Sequence, residues 1–142
     1  MSASVVEQIL ARVAACLTAA GLSVFRGRGD AFEDAELPAL NVQRGNATEE
    51  PLGSHGARLM VQWDVRHHVA VASGWETSAD ALHMQVHGVL AADAPLAALG
   101  RGLRCTSTDA NGDSADRELG TLTARYQMQV FVRPGDFTRV IS

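Results

Sequence analysis

Residues 58–72 read Arg-Leu-Met-Val-Gln-Trp-Asp-Val-Arg-His-His-Val-Ala-Val-Ala. Leu59, Val61, Trp63, Val65, Val69 and Val71 are apolar, with His67 the one interruption, and Gln62, Asp64, Arg66 and His68 alternate with them. A beat of two is that of a β-strand with one buried and one wetter face. The same beat returns late in the chain, where Leu122, Ala124, Tyr126, Met128, Val130 and Val132 alternate with Thr123, Arg125, Gln127, Gln129 and Phe131. A run of roughly fourteen residues reaches about 45 Å, against about 17–20 Å for an ordinary strand. Two long strands are therefore expected to dominate the fold.

The rest of the chain supplies the covers. Ser4 and Glu7 form a capping box that opens a first helix with Val6, Ile9, Leu10, Val13, Cys16, Leu17 and Ala20 on its apolar stripe, and Gly21 stops it. Residues 22–26 and 37–42 read as short strands separated by an acidic loop. Residues 45–57, rich in Gly, Glu and Pro, read as a long and mobile connection. Thr77 or Ser78 caps a second helix with Ala79, Leu82, Val86, Val89 and Leu90 inward, and residues 96–100 add a short helical turn. Residues 103–108 read as a strand, and 109–117 as an acidic loop around Asn111-Gly112. The order α-β-β-β-α-β-β predicts an α+β fold: a mainly antiparallel, twisted sheet of four to five strands with two helices on one face.

The 142 residues suit a single domain, 1–142. Hydrophobic residues make up 46% and charged residues 20%, which argues against disorder, and no apolar run is long enough to cross a bilayer, so no membrane role is expected. No basic, apolar leader opens the sequence, so export by that route is not expected and Cys16 and Cys105 read as thiols. A net charge of −4 disfavours tight nucleic-acid binding by the free subunit.

Motifs of chemistry fail on inspection. His83 and His87 stand one helical turn apart, but the segment lacks the glutamate of a zinc-protease helix and spacing supplies no third ligand, so they read as histidines bordering the core. His67 and His68 project to opposite faces of one strand. Asp109-Ala-Asn111-Gly-Asp113 lacks the glycine and glutamate that an EF-hand needs at Ser114 and Gly120. No serine occupies a nucleophile elbow, and the carboxylates fall in loops that give no reason for a raised pKa. No catalytic residue, cofactor or metal is expected. A small metal-binding or enzymatic domain built on His83 and His87 is the rival reading from another class.

Two helices of about sixteen residues cover roughly 25 Å each. They fall short of the strands, which predicts exposed apolar positions at the tips, with Trp63, Trp75, Phe131 and Phe137 as the large candidates. The wetter face carries Gln62, Asp64, Arg66, Thr121, Thr123, Arg125, Gln127 and Gln129, suited to hydrogen-bonded contacts between subunits.

The capped first helix, the acidic segment running into Leu37-Pro38-Ala39-Leu40-Asn41-Val42, the loop of Gly, Glu and Pro, the long strand from Arg58, the helix from Ser78 and the closing strand from Gly120 together resemble the phage tail terminator and minor tail protein family, of the kind found in phage lambda. The resemblance spans nearly the whole chain. It implies a hexameric ring that caps the tail tube, stops its polymerisation and presents a surface to the head connector, within the virion and, during assembly, in the host cytoplasm. DNA is then only passing cargo in the lumen, and the partners are copies of the chain, the major tail tube protein and a head-completion protein. A ring needs two different complementary surfaces on each subunit. Acidic Glu33, Asp34, Glu36, Glu49 and Glu50 against basic Arg26, Arg28, Arg44, Arg58 and Arg66 supply candidate halves.

Overall fold

The computed structural model describes residues 3–53, 56–71, 73–114 and 118–140. The chain runs α1 (Val5–Ala19), β1 (Val24–Arg26), β2 (Ala39–Pro51), β3 (Ala57–Val71), α2 (Trp75–Ala92), α3 (Ala94–Ala97), β4 (Arg101–Ser114) and β5 (Glu118–Val132), with a 3-10 turn at Asp34–Glu36. This is an α+β fold on one mixed five-stranded sheet, ordered β1-β2-β3-β5-β4. Only β1 runs parallel to its neighbour β2, and every other pairing is antiparallel.

β3 and β5 sit side by side at the centre, in register from Ala57↔Val132 to Val71↔Glu118. Their apolar residues share one face, the inner face, which α1 and α2 roof. Trp63 lies opposite Tyr126, and the two rings stack with centroids 5.8 Å apart. Ser4 caps α1 by accepting from the Glu7 amide at 3.1 Å. Arg12 clamps α1 to the end of α2 through a bidentate pair with Asp93, both contacts 2.7 Å, and Asp93 also accepts from the Leu96 amide to start α3. Cys16 and Cys105 are free thiols, and burial pushes both pKa values up.

Three expectations change. First, four strands are long, not two: β2 has 13 residues and β4 has 14. The connection expected over residues 45–57 is strand as far as Pro51, which pairs with Ala57 across a hairpin, and His55 lies outside the described residues. Likewise the acidic loop expected from Asp109 continues β4 against β5, with residues 115–117 outside the described set. Second, α2 starts at Trp75 with Gly74 as its N-cap in the left-handed region (φ 73°), ahead of Thr77 and Ser78.

Third, the inner face is sheltered within one chain. Every inward residue of β3 from Ala57 to Val69, and of β5 from Leu122 to Val132, is buried, Trp63 fully so. Two short covers complete what α1 and α2 leave. At one end the chain after β5 returns to α1: the Val5 amide donates to the Phe137 carbonyl at 2.5 Å and the Gln8 amide group to the Thr138 carbonyl at 2.9 Å. At the other end the Trp75 indole lies over Gly112 and Gly120, which are cross-strand partners. The remaining strand length is polar: residues 44–51 of β2 and 106–112 of β4 are all exposed. Exposed large apolar residues are confined to Leu52, Met84, Leu119 and Phe137 among the described residues, while Phe131 is half-buried under the Arg101 guanidinium.

Candidate interaction surface

Among the described residues no α-helix covers the outer face of the sheet. Strand alternation lays out its side chains in cross-strand pairs: Glu50 beside Arg58, Asp64 beside Arg125 and Gln62 beside Gln127. Arg58 bonds Glu50, Arg125 Nε donates to Asp64 at 3.1 Å, and the two glutamines meet at 3.3 Å. Gln129 follows on the next rung, between Met60 and Arg101. At the far end Thr121 meets His68 Nδ1 at 3.0 Å, and Arg66 projects into solvent.

The loop after β1 folds onto that far end. Arg28 is its hub, bonding Glu36 at 2.5 and 2.9 Å and the Ala31 carbonyl at 3.0 Å, with its guanidinium over the rings of Phe25 and Phe32. Buried Asn41 on β2 holds the Arg28 backbone from both sides, accepting from its amide at 3.1 Å and donating to its carbonyl at 2.7 Å. The Arg28 guanidinium, together with the Glu33 amide, holds the Glu36 carboxyl down at about 2. Phe32 lies against His68, and between loop and sheet runs an open cleft of about 740 Å³ whose polar wall includes Arg66, His68, Asn111, Thr121 and Thr123.

The acidic and basic sets read from sequence are therefore largely matched inside one subunit. Arg26 bonds Glu7, Arg28 bonds Glu36, and Arg58 bonds Glu50. Glu33 caps the 3-10 turn close enough to Arg28 for their charges to interact, and Asp34 opens the turn. Arg44, Glu49 and Arg66 make no ion pair among the described residues; Arg44 and Glu49 lie on the exposed half of β2.

The histidines take a different arrangement from the one spacing suggests. His67, fully buried, points inward and meets His83 of α2 edge to face at 5.1 Å, and His87 stacks on Tyr126 with its Nδ1 3.2 Å from the phenol oxygen. His67 Nδ1 lies 2.9 Å from the Leu122 carbonyl and donates to it. Burial presses the His67 pKa down to about 4 and lowers that of His83 as well, so both are neutral near pH 7, and the same burial pushes the Tyr126 phenol up. His67 Nε2 and His83 Nδ1 have no hydrogen-bond partner among the described residues. No three ligating side chains among the described residues are placed to share one ion.

What sequence reading missed is the pair of sheet edges. β1 pairs only with Leu40–Val42, so residues 43–51 of β2 form an unpaired edge. On the other side β4 has β5 as its sole neighbour among the described strands. The signal was present in the alternation of Ser107, Asp109 and Asn111 with Thr108 and Ala110, but Asn111-Gly112 imitates a turn. Since each step from β2 to β4 is antiparallel and there are three, the two edges run in opposite directions. No helix among the described residues is long and apolar enough to cross a membrane. No family model matches this chain, and no curated protein matches it.

Proposed function

We propose that this chain is a structural subunit of a phage tail. In this reading it is a tail terminator whose copies close into a hexameric ring at the head-proximal end, stop the tail tube from growing and offer the head connector its docking surface. DNA crosses the ring as cargo.

One observation carries the reading: a single sheet with two long unpaired edges of opposite sense. A free edge presents a row of unpaired amide and carbonyl groups, and such rows invite another strand. Two different edges on one subunit make a heterologous contact, which closes into a ring when the rotation per subunit suits. The resemblance in element order supports the same reading. Exposed apolar surface, expected to drive assembly, is a minor contributor, because the inner face is already sheltered in one chain.

Size-exclusion chromatography with light scattering, alone and with tail tube subunits, tests this. A hexamer, free or formed on tube ends, together with tubes of arrested length, is the expected result. A monomer at every concentration that leaves tube growth unchanged refutes it. Binding to the head connector without an effect on tubes reassigns the chain to head-tail joining.

A further inference from the structure

We infer that copies of this chain join edge to edge, the unpaired half of β2 in one copy pairing antiparallel with β4 of the next, in one definable register. The inference rests on the ring reading and supplies its contact.

The rungs of the sheet fix what each edge presents at each height. Thr48, Met60, Gln129 and Arg101 share one rung, and Gln43, Asp64, Arg125 and Ser107 share another. On the outer face β2 offers Glu50, Thr48 and Gln43, and β4 offers Arg101, Arg104, Ser107 and Asp109. Side-chain parity requires outer residues to oppose outer residues across a continuous sheet. A slide of two residues, about 7 Å along the strands, sets Glu50 opposite Arg101, Thr48 opposite Arg104 and Gln43 opposite Asp109.

The irregularities fit that register too. β2 carries one extra residue between Arg44 and Ala47, and β4 carries two, one between Arg101 and Arg104 and one between Cys105 and Ser107. The slide brings the bulge of β2 and the Cys105–Ser107 bulge of β4 into neighbouring rungs, while the extra residue between Arg101 and Arg104 bulges opposite Glu49, between the Glu50 and Thr48 pairs. On the inner side β4 presents small Thr108 and Ala110, which leave room for the long Arg44 side chain of the facing edge. Direct pairing of opposite charges and of amide with carboxylate adds about 0.2–1 kcal/mol per pair, and the new ladder satisfies backbone groups of β2 from Gln43 to Glu50 and of β4 from Arg101 to Asp109, ending where β1 already holds Leu40–Val42. Strands that slide by a fixed amount at every contact tilt relative to the ring axis, as closure of a sheet requires.

Paired cysteines test the register. Directly opposed Cβ atoms lie about 4.5–5.5 Å apart at the closer positions, near the span of a disulfide. Thr48→Cys with Arg104→Cys, in a Cys105→Ser background, should give an oxidant-dependent ladder of multimers on a non-reducing gel. Each single variant should stay uncross-linked. Gln43→Cys with Asp109→Cys probes the same register independently should the first pair fail to fold. An assembled ring by light scattering with no cross-link in either pair overturns the edge pairing and leaves the ring reading standing. Cross-linking by Arg104→Cys alone would show β4 meeting β4, which also overturns it. A protein that stays monomeric with tail tubes present removes both.

Discussion

Replacing Gly120 by alanine should destabilise the protein by about 3–4 kcal/mol, and the cause should be one aromatic ring. A Cβ built on Gly120 would stand 1.9 Å from Trp75 Cε3, and one on Gly112 would stand 2.3 Å from Trp75 Cε2. Carbon atoms rest about 3.5–4.0 Å apart, so the indole must retreat by roughly 2 Å. Neither glycine has a positive φ, so the cost is steric and not conformational. Trp75 is 9% exposed, and a tryptophan buries about 150–250 Å². Re-exposing half of it at about 25 cal/mol per Å² costs about 2–3 kcal/mol, and overpacking adds of order 1 kcal/mol. Urea denaturation followed by far-ultraviolet circular dichroism reads the loss, and a double-mutant cycle assigns it. Trp75→Ala alone should cost about 3–5 kcal/mol, and Gly120→Ala added to it should cost almost nothing further. An equal penalty for Gly120→Ala with and without Trp75 would refute the account.

Acid should weaken the fold in two steps. His67 titrates at about 4 in the folded chain against 6.5 in the unfolded one, so stability is complete above pH 6.5 and falls as pH drops from 6.5 towards 4, by at most roughly 3 kcal/mol. His67→Asn keeps a donor for the Leu122 carbonyl and should flatten that slope in a pH series of denaturant midpoints. A second decline follows as pH falls from 4.5 towards 2, where Glu36 and the lowered carboxyls of Glu7 and Asp93 take up protons. Asp93→Ala removes both the N-cap of α3 and the partner of Arg12; loss of the cap alone costs about 1 kcal/mol, and thermal melts should show the variant less stable than Arg12→Ala. Arg28→Lys should free the loop on the outer face, because one ammonium cannot hold two carboxylate oxygens and lie over two rings; hydrogen exchange at residues 28–37 should rise while β3 stays protected. Metal analysis of purified protein checks the rival reading: zinc at one ion per chain would favour a metal-binding domain over the ring.

The centre of the fold was legible in the sequence because its signal is periodic. The beat of β3 and β5 gives their faces and survives intact; Ser4 marks the start of α1 as expected, but only half of the expected box forms, because the Glu7 carboxyl turns to Arg26. The outer halves of β2 and β4 were not legible, because the residues that mark them have a second physical use. Gly45 reads as a breaker, yet it sits at a bulge where a Cβ would stand 2.8 Å from the Gln62 carbonyl oxygen. Gly112 reads as half of a turn, yet it is the floor under Trp75. Glycine alone does not say whether the chain must turn or a neighbour must come close. The candidate surface was half visible: the outer-face residues were identified, but their partners were not. Glu50 with Arg58 and Asp64 with Arg125 are set by a strand register that no single segment contains. In the same way His83 was recognised as bordering the core, and only the placement of α2 brings it to His67.

The bond from the Val5 amide to the Phe137 carbonyl ties the opening helix to a segment more than 130 positions downstream. On the ribosome the helix emerges more than 130 residues ahead of that segment. Until that segment is made its apolar stripe has no finished surface to settle on, so the nascent helix is open to chaperones throughout that interval. Arrested chains of increasing length should stay protease-sensitive until that closing segment clears the tunnel, and then become resistant in one step.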